Sequence, residues 1–209
     1  MHSSTLLPTA LALCAACGTE GALRHSVFTP DCEEDDVACL QAGLDAPIAS
    51  GGVQALSINL DIPGTGTPSF KLLSADPSVV EVAGNQLRAQ TPGVSALVLL
   101  TQDDVAVDFL HIWVETPDRI ALQRDGEALS GTVELLPGDE LLLAVAPYRG
   151  VNRLLGEQTA EWSTSSDAVA VLQDGNPRRR RLVARGPGSA THTVRAFERE
   201  TSLDLVVLP

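Results

Sequence analysis

From residue 51 onward, apolar and polar residues alternate with a period of two, and helical apolar stripes are hard to find. Leu56 to Ile62 alternates cleanly and is followed by the proline- and glycine-rich run 63–68, a turn signal. Val79 to Val82, closed by Gly84-Asn85, is a second strand candidate. Val94 to Thr101 follows Pro92-Gly93, turns at Gln102-Asp103-Asp104, and returns as Val105 to Glu115. The second half repeats this plan. Leu141 to Ala146 follows Pro137-Gly138-Asp139, and Trp162 opens a polar run that ends at Asp167. Val169 to Leu172, Leu182 to Ala184, Thr191 to Phe197 and Leu203 to Leu208 complete the set. Short strands at this spacing, bounded by turns, predict an all-β sandwich or barrel.

The two halves also resemble each other. Leu87-Arg88-Ala89-Gln90-Thr91-Pro92-Gly93 aligns without a gap with Leu182-Val183-Ala184-Arg185-Gly186-Pro187-Gly188. Upstream, Ser74-Ala75-Asp76 and the valines after it match Ser165-Ser166-Asp167 and Val169 to Val171. The offset is 91 at the aspartates and 95 at Pro-Gly, which places four extra residues in the loop around 174–179. A period near 90 marks a duplicated domain, not a solenoid repeat.

Trp162, Asp167, Ala184, Pro187 and Gly188 together resemble the pattern of the bacterial immunoglobulin-like domains of invasin- and intimin-type surface proteins. Asp76, Pro77, Val79, Ala89, Pro92 and Gly93 repeat it in the first half, with Leu72 where the tryptophan is expected. The resemblance implies two tandem Ig-like β-sandwiches, residues 51–116 and 117–209, and a structural, adhesive or protein-interaction role.

Residues before 51 read differently. Leu6 to Ala16 is a nearly unbroken apolar run, too short to span a bilayer, which takes about 20 residues, and of secretory h-region length. Met1 to Ser4 carries no Lys or Arg. Leu13-Cys14-Ala15-Ala16-Cys17-Gly18 resembles a bacterial lipobox, in which Cys17 is lipidated after removal of a signal peptide, residues 1–16. The resemblance implies an exported protein whose N-terminal lipid holds it in the outer membrane. Residues 17–50 have no sustained period and hold Pro30 and Pro47, so they are expected to be a disordered acidic tether. Cys32 and Cys39 lie in it, and an oxidising compartment favours their pairing as a disulfide.

Charge narrows the function. The net charge is −13, distributed as −6 over 18–50, −5 over 51–116 and −2 over 117–209. That balance argues against a phosphate-backbone partner, and no nucleic acid is expected. Asp31, Glu33, Glu34, Asp35 and Asp36 offer carboxylates to calcium but lack the glycine and distal Glu of an EF-hand loop, so a solvated acidic loop is expected and no metal or cofactor. Arg178-Arg179-Arg180-Arg181 is the one basic block. Its guanidinium forks suit the oxyanions of an anionic glycan or lipopolysaccharide; as a hairpin loop, its alternate side chains would instead pair with nearby acids.

Signals for catalysis are missing. His25, His111 and His192 are spaced neither for a metal nor for a nucleophile's base. The carboxylate pairs Asp103-Asp104 and Asp139-Glu140 fall in turns. The expectation is a non-enzymatic envelope lipoprotein whose partner is an envelope protein or a glycan. A surface carbohydrate-binding module is the alternative; Trp113, Trp162 and Tyr148 are the only Trp or Tyr side chains available to it.

Overall fold

A computed structural model describes residues 18–23, 26–33, 36–60, 69–173 and 179–209. The expected signal peptide and lipidation site Cys17, His25, the expected turn at 63–68 and Arg178 lie outside them. The first half comprises β1 (Thr19–Glu20), β2 (Ser26–Pro30), helix α1 (Val37–Ala42), β3 (Ile48–Ala49), β4 (Val53–Leu60), β5 (Phe70–Ser74), β6 (Val80–Ala83), β7 (Gln86–Ala89), β8 (Gly93–Thr101) and β9 (Ala106–Glu115). The second comprises β10 (Arg119–Arg124), β11 (Glu127–Ala128), β12 (Thr132–Leu135), β13 (Glu140–Arg149), β14 (Asn152–Arg153), β15 (Glu161–Thr164), β16 (Ala170–Gln173), β17 (Arg179–Ala184), β18 (Gly188–Ala196) and β19 (Arg199–Val207).

Strand order decides the architecture. In the first half, β1-β2-β4-β7-β6 faces β3-β9-β8-β5. Lettering β2 and β4 to β9 as A to G gives A-B-E-D on one sheet and G-F-C on the other, the immunoglobulin order. In the second half, β10-β13-β17-β16 and β19-β18-β15 repeat it. In each copy a short strand runs parallel to G, β3 on β9 and β12 on β19. The protein is all-β, two Ig-like sandwiches in tandem.

Two sequence expectations are corrected. Residues 26–49 are not a free tether. Ser26 to Pro30 alternates inward and outward and pairs with β4 along its length, and Phe28 is fully buried. The period was too short to show in the sequence beside the surrounding acids. The duplication is also in a different register. Val79 N–H and Val80 N–H donate to Asp76 O, whereas Val169 N–H and Ala170 N–H donate to Ser166 O. Asp76 therefore corresponds to Ser166, an offset of 90, while Ala89 and Ala184 keep 95 through their partners Val80 and Ala170. Between its paired ends, Gln173 and Arg181, the β16–β17 hairpin thus holds five more residues than the β6–β7 hairpin between Ala83 and Gln86, one more than the aspartate alignment suggests. Both Ser and Asp cap such turns, so the sequence could not choose between them.

Each sandwich has its own aliphatic core, and the two cores exchange a residue. Ala49 of the first half belongs to the core of the second, with Ile120, Leu143 and Leu205, whereas Leu155 of the second half belongs to the core of the first, with Phe28, Ile48 and Ile112. Backbone bonds stitch this seam. Ala49 N–H donates to Leu155 O at 2.9 Å, Leu155 N–H to Pro47 O at 2.8 Å, and Val53 and Glu157 exchange both bonds at 2.9 Å. Gly156 sits at φ +88° where a Cβ would lie 2.8 Å from Ile48 Cγ2, so the chains can approach this closely only at a glycine.

Candidate interaction surface

The stapled loop is part of the seam. Cys32 and Cys39 form a disulfide with Cα atoms 5.8 Å apart. Between them, Asp36 accepts the backbone N–H of Cys39 at 2.9 Å, starting α1, and pairs with both terminal nitrogens of Arg153. Glu33 lies 3.8 Å from Arg179. These acids are therefore spent on arginines of the second sandwich, and among the described residues no three His, Cys, Asp or Glu side chains converge as a metal site. The cleft around them encloses about 50 Å³, room for a few water molecules.

The basic block is strand and not hairpin loop from Arg179 onward. Arg179 faces Glu33, and Arg181 lies 3.5 Å from Glu140. Arg180 is also engaged.

The histidines part company. His192 is fully buried on β18, at the position that Leu97 occupies in the first sandwich. Its Nε2 lies 3.4 Å from Thr164 Oγ1. Burial pushes its pKa down, and the negative charge of Asp167 opposes this in part. Its Nδ1 and the Nε1 of Trp162 are buried without a partner among the described residues. Such a group suits neutral imidazole and gives no access to a substrate.

His111 instead stands on an exposed sheet face. On β9 the side chains alternate, with Asp108, Leu110, Ile112 and Val114 inward and Phe109, His111 and Trp113 outward. Asp108 can take its inward place at the strand's start because donors are supplied to it. Fully buried, it accepts hydrogen bonds from Leu23 N–H, Ser26 N–H, Ser26 Oγ and Phe109 N–H. Across the sheet, Trp113 pairs with Val94, His111 with Ala96, Phe109 with Val98, and Val98 with Leu73. The outward face is thus an aromatic row beside an aliphatic one. Leu73, Val94 and Trp113 are 49%, 48% and 44% exposed, more than a singly scattered surface residue would explain. The rings of Phe109 and His111 lie 5.6 Å apart at 85°, and those of His111 and Trp113 lie 6.2 Å apart at 55°.

The duplication supplies an internal control. In register, Leu73, Val94, Ala96 and Val98 correspond to Ser163, Ser189, Thr191 and Thr193. Phe109, His111 and Trp113 correspond to Ser202, Asp204 and Val206. The second face is polar and internally bonded: Thr191 Oγ1 donates to Asp204 Oδ1 at 2.8 Å, and Arg195 pairs with Glu200. The same scaffold therefore carries one face made for water and one that is not. Sequence reasoning held Trp113 and His111 as scattered residues; their alternation with Phe109 was the signal that could have joined them.

Several solved structures are similar to this chain. Domains 4 and 5 of the S-layer protein SbsC share 14% identity, with 91% of this chain and all of that one covered and a TM-score of 0.35. The Escherichia coli adhesin FdeC shares 12% over 91% of this chain, with a TM-score of 0.35. A C-terminal intimin fragment, solved in complex with the intimin-binding domain of its translocated receptor, shares 14% over 88%, with a TM-score of 0.31. The chain spans 65% of the FdeC chain and 57% of the intimin chain. No family model and no curated protein matches the chain. The Ig-like assignment stands on the strand order above.

Proposed function

We propose that this is a non-catalytic structural or adhesive module of the bacterial envelope, exported and held in the outer membrane by a lipid on Cys17. Its two Ig-like sandwiches act as one stiff unit. The seam carries this reading. Backbone bonds, a close glycine contact and the Asp36–Arg153 pair join the sandwiches without a flexible linker. A spacer or adhesin transmits position and load through such a joint, whereas a hydrolase needs a cleft with an activated group. Each acyl CH₂ buried in lipid contributes about 0.8 kcal/mol, so several chains on one cysteine suffice for stable attachment.

Mass spectrometry of the N-terminus of the mature protein tests the anchor: a mature chain beginning at an acylated Cys17 is expected, and an unmodified start elsewhere overturns it. Small-angle scattering tests the stiff unit, with a single sharp pair-distance profile expected. Carbohydrate binding is the second reading, favoured only by the exposure of Trp113. A glycan array with wild type and Trp113→Ala decides it.

A further inference from the structure

Two of the ion pairs that cross the seam leave from one short loop. Glu33 and Asp36 lie between Cys32 and Cys39, which are seven residues apart in sequence, and they reach Arg179 and Arg153 of the second sandwich. The side chains of Asp36, Arg153 and Arg179 are each about four-fifths buried. Glu115 and Arg149 also cross, at 3.5 Å, but their side chains are 38% and 55% exposed, where a pair contributes little.

The loop depends on its disulfide for shape. Glu33 to Asp36 are four acids in a row, and such a run repels itself and extends. Helix α1, which follows, has six residues, well short of the about 12–15 that an isolated helix needs. Cys39 is buried in the first core, and Cys32 packs against that core. Their bond therefore fixes both ends of the acidic segment to the first sandwich and sets Glu33 and Asp36 against the arginines. Without the loop, the sandwiches still share the backbone bonds between residues 47–53 and 155–157 and the chain that crosses from Glu115 to Arg119. A strip made of so few element-terminal residues is the usual material of a hinge.

We infer that the Cys32–Cys39 disulfide is a redox-sensitive lock on the seam. Oxidised, it holds the loop on Arg153 and Arg179, and the two sandwiches move as one. Reduced, it releases the loop, and the sandwiches rock about the backbone strip. The lock presupposes the stiff joint proposed for this protein and adds what controls it. A dithiol is the class of reductant that opens it. One of its thiolates attacks the sulfur of Cys32, the less buried of the two residues, and Cys39 leaves as a thiolate that takes up a proton. The second thiol of the reductant then displaces Cys32 and closes the reductant's own disulfide, so two electrons and two protons pass to the protein.

Residual dipolar couplings of the full chain, with Cys14→Ser and Cys17→Ser so that only this pair responds, test the lock with and without dithiothreitol. Alkylation and mass spectrometry report the state of Cys32 and Cys39. Fitted separately, the alignment tensors of the two sandwiches should coincide in the oxidised chain and lose that coincidence on reduction. Cys32→Ser with Cys39→Ser should lose it without reductant. Arg153→Gln with Arg179→Gln should lose it with the disulfide intact. Unchanged amide shifts along β8 and β18 show that both sandwiches stay folded. Tensors that coincide in both redox states overturn the lock and leave the stiff joint standing, whereas tensors that already differ in the oxidised chain overturn both. Arginine variants that keep a common tensor overturn the lock. So does a bond that the dithiol leaves closed in the folded chain, and so does a first sandwich that unfolds once the bond opens.

Discussion

Asp36 holds both terminal nitrogens of the Arg153 guanidinium, and one of its oxygens also accepts the N–H of Cys39. One carboxylate thus starts helix α1 and ties the first sandwich to the second across 117 residues of sequence. Both side chains are four-fifths buried, so the pair is shielded from solvent.

Asp36→Ala removes the cap and leaves Arg153 without its partner, with an expected loss of about 2–4 kcal/mol. Asp36→Asn keeps a good cap and removes only the charge, so the difference between the variants isolates the guanidinium contact. Urea unfolding measures both. The alanine variant should also separate the two sandwiches into distinguishable transitions; a single unchanged transition would show that the backbone bonds alone hold the seam.

His192 makes the second sandwich sensitive to acid. Its folded pKa lies below the ordinary 6.5, chiefly because it is buried. Between these two values the unfolded chain binds the proton and the folded chain does not. Stability is therefore complete above pH 6.5 and falls as the pH drops through the folded pKa. His192→Leu, which installs the residue found at Leu97 in the first sandwich, should flatten this dependence and leave stability at pH 8 equal or higher. Denaturant midpoints at pH 8 and pH 5 check it: an equal fall in wild type and variant would assign the acid loss to other groups.

The sequence disclosed long strands well and joints badly. β8 and β9 were visible nearly whole because nine or ten residues of alternation leave little ambiguity, whereas β18 and β19 were seen only from Thr191 and Leu203 onward. β2 was hidden because five residues beside an acidic run give too short a period. β5 was hidden because its inward Leu72 is flanked by Lys71 and Leu73 on the outward side, which blurs the alternation. Alternation also reveals that two faces exist without saying which is buried. Asp108 points inward and Trp113 outward, the reverse of what polarity alone suggests, because Ser26 and Leu23 bring donors to Asp108 from 82 and 85 residues away. The seam was illegible for the same reason: its partners meet only once the chain has folded.

The Pro-Gly repeat has a steric cause that can be tested. Gly188 begins β18 at φ +143°, and a Cβ there would lie 2.9 Å from Val169 Cγ2; Gly93 is in the same relation to Val79 at 3.1 Å. Gly188→Ala should cost about 2 kcal/mol by pushing Val169 out of place. Gly93→Ala, with slightly more room, should cost less. Thermal unfolding of both variants gives the comparison, and the order of the two losses is the critical result.

The turn between β18 and β19 carries strain that can be removed. Phe197 and Glu198 both have positive φ, +52° and +56°, the geometry of a two-residue type I′ hairpin turn that ordinarily takes Asn-Gly. A left-handed backbone costs a non-glycine residue about 1–2 kcal/mol. Phe197 earns its place, because its ring is buried in the second core, close to Gly52 of the first sandwich, and its N–H donates to Gln158 Oε1. Glu198 has no such return, since its side chain is exposed. Glu198→Gly should therefore stabilise the protein by about 0.5–1 kcal/mol, after allowance for glycine's greater freedom when unfolded. Phe197→Gly relieves the same strain but empties a core position, so it should destabilise by about 2–3 kcal/mol. Opposite signs at adjacent residues of one turn separate backbone strain from packing; two losses would mean that the Glu198 side chain matters to the fold.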